Sequence, residues 1–256
     1  MSGSDDIGTM TVLVIGQSSI DSRVGEMRAE YHLLAQNAEN DNLLTFCDVQ
    51  FLDIKNLVDE NIQLGHLSKI NDADFVVCLN PFCSDLLENN YCSLQNALIT
   101  MQGISVAVHP FQKMEGALTG KRNYYCNDVE VDGLKLLKPI IKRLMFQDFI
   151  CIDYCDVYVL FSNRHGSKIK FMESQYYYKN EIEHDLQSQC QPFLNTIEDH
   201  NVDGVLAILH NVFSLSEVEA LNQVLATDKL KDIPTITTIS SNGEKQQGFS
   251  LYAFCS

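Results

Sequence analysis

The segment "ICIDYCDV", residues 150–157, places two carboxylates, Asp153 and Asp156, three positions apart in an otherwise apolar run. Acids that close repel each other and must stay hydrated, so they face water or a partner rather than a core. On the residues alone, Asp153 can cap a following element and Asp156 can simply stand exposed. Cys151 precedes the acids and Cys155 lies between them, and with His165 they supply ligand types found at zinc sites. No second ligand pair lies nearby, so no metal is expected. His109 and His210 are isolated and read as structural groups, and Tyr176 to Tyr178 read as either a contact patch or a partly buried helix start.

Charge narrows the chemistry further. Against 34 acids the chain sets 18 bases, for a net charge of −16, a field that repels polyphosphate backbones and excludes nucleic acid as a partner. The basic segment "KLLKPIIKR", 135–143, alternates its cations with leucine and isoleucine at helical spacing and reads as a solvated helix face. Nine cysteines, an odd number with no C-x-x-C pair, point to reduced thiols in a cytosol. No apolar run approaches the roughly 20 residues of a membrane helix, and the start resembles no secretory signal. A cytoplasmic protein without direct membrane binding is expected.

The elements that must position these residues follow from periodicity. Valine- and isoleucine-rich runs at 11–15, 48–54, 74–79 and 104–108 read as strands of a parallel sheet covered on both faces, with helices between them. The first helix spans 21–38, with Val24, Met27, Tyr31 and Leu34 on one stripe and Asp21 or Ser22 as its cap. A helix over 133–146 has a wide apolar face, and Pro139 kinks it or marks its start. Beyond it, strands are expected at 157–161, 167–172, 204–209, 235–239 and 249–254. A polar helix is expected over about 176–190, and another opens at the capping box Ser214-x-x-Glu217. Asn242-Gly243 signals a hairpin joining the last two strands. The organisation expected is a doubly wound parallel sheet in 1–132, a central helix in 133–149 and a smaller α+β domain in 150–256.

This order of elements resembles FtsZ, the tubulin-like bacterial division GTPase. "ICIDYCDVYVLFSN" resembles the family loop of the type I-N-V-D-F-A-D-V that follows its central helix, and "QPFLNTIEDHNVDGVLAILHN" resembles a later family run. "TVLVIGQSSIDSRVGEM" lies along the opening strand and glycine loop, and "ISVAVHPFQKMEG" along the P-F-x-x-E-G segment. In the resembled family the acidic loop reaches into the next subunit of a filament and polarises the water that attacks GTP. The resemblance assigns that partner-facing role to Cys151, Asp153, Tyr154 and Asp156. Cys151 stands where the family has an asparagine, and a thiol is a poor hydrogen-bonding substitute for an amide.

The departures concern the nucleotide. Runs of glycine let a backbone curl around phosphate oxygens. Here the first loop, "GQSSIDS", keeps only Gly16, followed by Gln17, Ser18, Ser19 and the acid Asp21. The second, "NPFCSDLLENNY", has no glycine, and its Asn80, Ser84, Asp85 and Glu88 fall where triphosphate would sit. Like charges at about 4 Å repel by roughly 1 to 4 kcal/mol, more than the about 1 to 2 kcal/mol that a helix N-terminus returns to an anion. The region between "PFQKMEG" and the central helix is also shorter than in the family, as if a helix and strand were missing. Loss of GTP binding is therefore expected, with no cofactor and no catalysis in the chain's own pocket. The resemblance implies a pseudo-GTPase that caps or joins filaments of FtsZ or an FtsZ-like homologue. A nucleotide-independent homo-oligomer and an atypical GTPase are the alternatives. The ending "FCS" implies no tail for recruiting membrane anchors, so arrival at a division site would need a bound partner.

Overall fold

The computed structural model describes residues 10–16, 22–40, 47–53, 60–79, 91–109, 123–127, 133–145, 152–162, 168–177, 186–211, 214–240 and 248–255. Strands β1 (Met10–Gly16), β2 (Cys47–Asp53), β3 (Phe75–Leu79), β4 (Ile104–His109) and β5 (Asn123–Asn127) are parallel. Their order is β2-β1-β3-β4-β5, so the chain leaves β1 toward one edge and returns on its other side at β3. Three helices, α1 (Ser22–Asn40), α2 (Glu60–Asp72) and α3 (Tyr91–Thr100), connect them.

Two register pairs, Tyr125↔Lys168 and Cys126↔Ile169, extend this sheet into β6 (Lys168–Tyr177). Past β6 come β9 (Gly248–Cys255), β7 (Val202–His210) and β8 (Thr235–Ser240). Among the described residues the result is one continuous nine-stranded sheet in an α/β arrangement. On one face lie α1, α4 (Gly133–Met145) and α5 (Tyr154–Ser162), whose core runs from Val12 and Phe75 through Ile140 and Phe161 to Leu206 and Phe254. The other face holds two cores. One lies under α2 and α3, and the other under α6 (Leu186–Glu198) and α7 (Leu215–Leu225). The apolar stripe of α1 packs as its spacing demands, with Val24, Met27 and Tyr31 buried and Leu34 against the core. No described helix is long and apolar enough to cross a membrane.

Several expectations are corrected. Residues 157–161 are not a strand: they lie in α5, because Val157, Leu160 and Phe161 bury one helical stripe while Val159 stays exposed. Of the helix expected over about 176–190, Leu186–Cys190 are helical, within α6, and 178–185 lie outside the described residues. Tyr176 and Tyr177 instead end β6, because β9 offers an antiparallel partner from Lys170↔Cys255 to Tyr177↔Gly248. The last two strands form no hairpin, since β7 lies between them, parallel to β8 and antiparallel to β9. Asn242 and Gly243 themselves lie outside the described residues, as do Asp21 and Tyr178. A strand also occupies part of the stretch expected to be short of one: β5 pairs with β4 from Ser105↔Asn123 to His109↔Asn127. Pro139 sits within α4 and the helix continues past it to Met145.

Candidate functional site

In an open parallel sheet, ligands bind beyond the carboxyl ends of the strands, at the point where strand order reverses. Here that point lies between β1 and β3. The loops expected to be degenerate, 17–21 after β1 and 80–90 after β3, leave the sheet on either side of it. Of their residues, Gln17, Ser18, Ser19, Asp21, Asn80, Ser84, Asp85 and Glu88 lie outside the described structure. Gly16 closes β1. A Cβ added there would stand 2.6 Å from Val24 Cγ2 and 3.3 Å from Leu79 Cβ. The one glycine kept in this loop is thus required by packing among β1, α1 and β3, whatever else it once served.

Helix α4 crosses one face of the sheet, in contact with β6 and with β2. At 1.5 Å per residue, its 13 residues span about 20 Å. Lys138 Nζ pairs with Glu30 Oε2 at 3.3 Å, and the Tyr31 hydroxyl donates to the Lys138 carbonyl at 3.1 Å. Burial, then the neighbouring Glu30 charge, raises the Tyr31 phenol above its ordinary range, which keeps that donor protonated. Farther along, Met145 shares a cavity with Cys47 and Val49 at the start of β2, the opposite edge of the parallel sheet. The acidic segment follows α4 from this β2 side of the sheet.

There the two carboxylates cap α5 reciprocally. Asp156 N–H donates to Asp153 Oδ1 at 2.9 Å, and Asp153 N–H donates to Asp156 Oδ2 at 3.1 Å. Val157 N–H reaches the Asp153 carbonyl at 3.2 Å, the first bond of the helix. This is a capping box built from two aspartates, and the helix dipole favours both charges. Asp153 is exposed and Asp156 half-buried. The other oxygens, Asp153 Oδ2 and Asp156 Oδ1, have no hydrogen bond among the described residues and are left for water or a partner. Tyr154, half-buried, lies 6.3 Å from Tyr158 between ring centroids. Cys151 lies outside the described residues and Cys155 is exposed. Among the described residues no group of three or more His, Cys, Asp or Glu could hold a metal ion. His210 Nε2 meets Ser250 Oγ at 2.7 Å in a buried pair, a structural contact.

No protein-family model and no curated protein matches the chain by sequence. Solved structures do match by fold. An FtsZ dimer from M. jannaschii, described as empty, aligns with a TM-score of 0.59 over 99% of this chain and 92% of that one, at 12% identity. CetZ from Methanosaeta thermophila aligns at 0.55 over 96% and 86%, also at 12% identity. CetZ2 from Haloferax volcanii, a GTPγS-bound protofilament, aligns at 0.56 over 95% and 92%, at 9% identity. The chain has the tubulin/FtsZ-like fold, in a divergent form that sequence identity barely reports.

The aspartate box was legible as D-x-x-D before an apolar run. What sequence reasoning missed is that one pair of residues both begins a helix and leaves an oxygen of each carboxylate outward.

Proposed function

We propose that this protein is a pseudo-GTPase of FtsZ-like fold that docks the acidic end of α5 on a filament-forming subunit of related fold and so limits or reshapes assembly. The observation that carries the reading is the contrast between two regions that α4 separates along the chain. The strand-tip loops have one glycine between them, and that glycine is committed to packing. The α5 end keeps two outward carboxylate oxygens on a fixed helix start. A subunit able to offer one longitudinal face but not the other joins a filament end without accepting the next subunit. The docking surface of this proposal is the start of α5 alone, since 173–177 belong to β6 and the helix described beyond them is Leu186–Glu198. Because each aspartate spends one oxygen on capping, their role is to fix a charged contact surface more than to activate water.

The test is pelleting of FtsZ with GTP at rising amounts of this protein. Wild type is expected to lower polymer mass. Asp153→Ser, which keeps a good cap and removes the charge, is expected to lose the effect while remaining folded. Unchanged polymer mass and GTP turnover with wild type would defeat the proposal. Large assemblies of the protein alone in sedimentation would favour nucleotide-independent self-association instead.

A further inference from the structure

A second surface, used neither by the strand-tip loops nor by the α5 end, lies between the flank of α1, the face of β2 and the end of α4. It is a cavity of about 690 Å³, within the range of ligand clefts. Gly25, Ala29 and Ala35 line its α1 wall, small residues that leave the wall low. Half-buried Val49 and Phe51 line the strand side. Side chains alternate along a strand, so Cys47, Val49 and Phe51 all turn toward the face that α1 covers.

β2 is the terminal strand and pairs with β1 alone among the described residues, leaving one row of its N–H and C=O groups open. Above Phe51 stands Arg28, its guanidinium carbon 5.5 Å from the ring centroid. Among the described residues it has no ion pair, in a chain with 34 acids. Asp48, the acid lining the cavity, accepts from Gln50 Nε2 at 2.7 Å instead.

We infer that this groove takes an extended peptide of a partner protein as an additional strand along β2, with an acidic side chain on Arg28 and small apolar side chains over Val49 and Phe51. A strand added about 4.8 Å from β2 would place every second side chain over the groove, so main-chain bonds supply affinity and the groove supplies selectivity. The guanidinium fork over an aromatic face is suited to a carboxylate. A helical ligand would leave the strand's open row unpaired.

The probes are a blocked hexapeptide alternating valine and glutamate, its valine–lysine counterpart, and the glutamate peptide N-methylated at alternate residues, each titrated into the full chain by calorimetry. The glutamate peptide is expected to bind, and the lysine peptide about tenfold more weakly or not at all. N-methylation should abolish binding. Arg28→Gln should weaken it by about tenfold, and Ala29→Leu, which fills the groove, should remove it. Both substituted positions are exposed, so each variant should melt like wild type. Asp153→Ser should bind the peptide normally, which separates this site from the α5 surface. No binding, binding indifferent to N-methylation or to Arg28→Gln, or a dimer of the free protein dissolved by Ala29→Leu would each overturn the inference.

Discussion

The segments after β1 and β3 carry side chains where a triphosphate site would need none, whereas the start of α5 needs two particular side chains in place. A phosphate cradle depends on absence: glutamine, aspartate or leucine where glycine is required removes it. The capped helix depends on presence. Asp153 accepts from a backbone N–H of α5 and Asp156 from the N–H of the cap residue Asp153, so the fold itself uses both. On the proposed reading the two regions therefore differ in kind: one is defined by side chains that glycine would lack, the other by side chains that also build a helix start. That double duty is why the pair cannot be tested with alanine alone.

Three measurements sharpen the contrast. The largest effect concerns the bridge that lets the two ends act as one body. Phe161 of α5 lies 5.9 Å from Phe75 in the parallel sheet and 5.4 Å from Phe254 in β9, between ring centroids. Phe161→Ala is expected to cost about 3 to 5 kcal/mol, in a single urea transition reported alike by probes in both halves. Two separate transitions would mean that the ends are not rigidly linked. Smaller is the cap: Asp153→Ala should cost about 1 kcal/mol in urea unfolding, and Asp153→Ser only a fraction of that. Equal losses would deny the capping role.

How much of this was legible in the sequence depends on where each element finds its partners. Strands β1, β3 and β4 are near-continuous apolar runs, and such runs read as strands directly. α5 misleads because "VYVLF" has β-branched and aromatic residues of strand type, yet the spacing of Val157, Leu160 and Phe161 is helical and Asp153-x-x-Asp156 marks the start. β6 outruns its local pattern because the pairing that extends it to Tyr177 comes from β9, more than 70 positions away. The Asn242-Gly243 signal is local too, and β7 takes the place between β8 and β9 that a hairpin would have closed. Of the candidate site, the acid pair and the glycine shortage were visible as residue types. That α4 crosses the sheet to β2 before the acid pair follows only from its packing, through Tyr31, Lys138 and Met145.

The smallest effect at neutral pH is alkaline. Burial, helped at Cys47 by the Asp48 charge, pushes Cys47 and Cys78 up to about 12, and burial pushes Cys190 up to about 11, from an ordinary value of 9.0. The native state therefore holds these protons where the unfolded chain releases them. The stability this gives is fully present below pH 9.0 and is lost as pH rises through 11 to 12. Urea midpoints should fall over that window and not below it. Exposed Cys155 should be titrated by a thiol reagent in the native protein well before these three.

The claim on which the contrast stands is that the strand-tip end no longer receives a nucleotide, and thermal unfolding with GTP and Mg²⁺ tests it most directly. Ligand at 100 times its dissociation constant adds about 2.7 kcal/mol to the stability of a protein that binds it. The account predicts a melting temperature unmoved by millimolar GTP. A rise that scales with GTP concentration would contradict it.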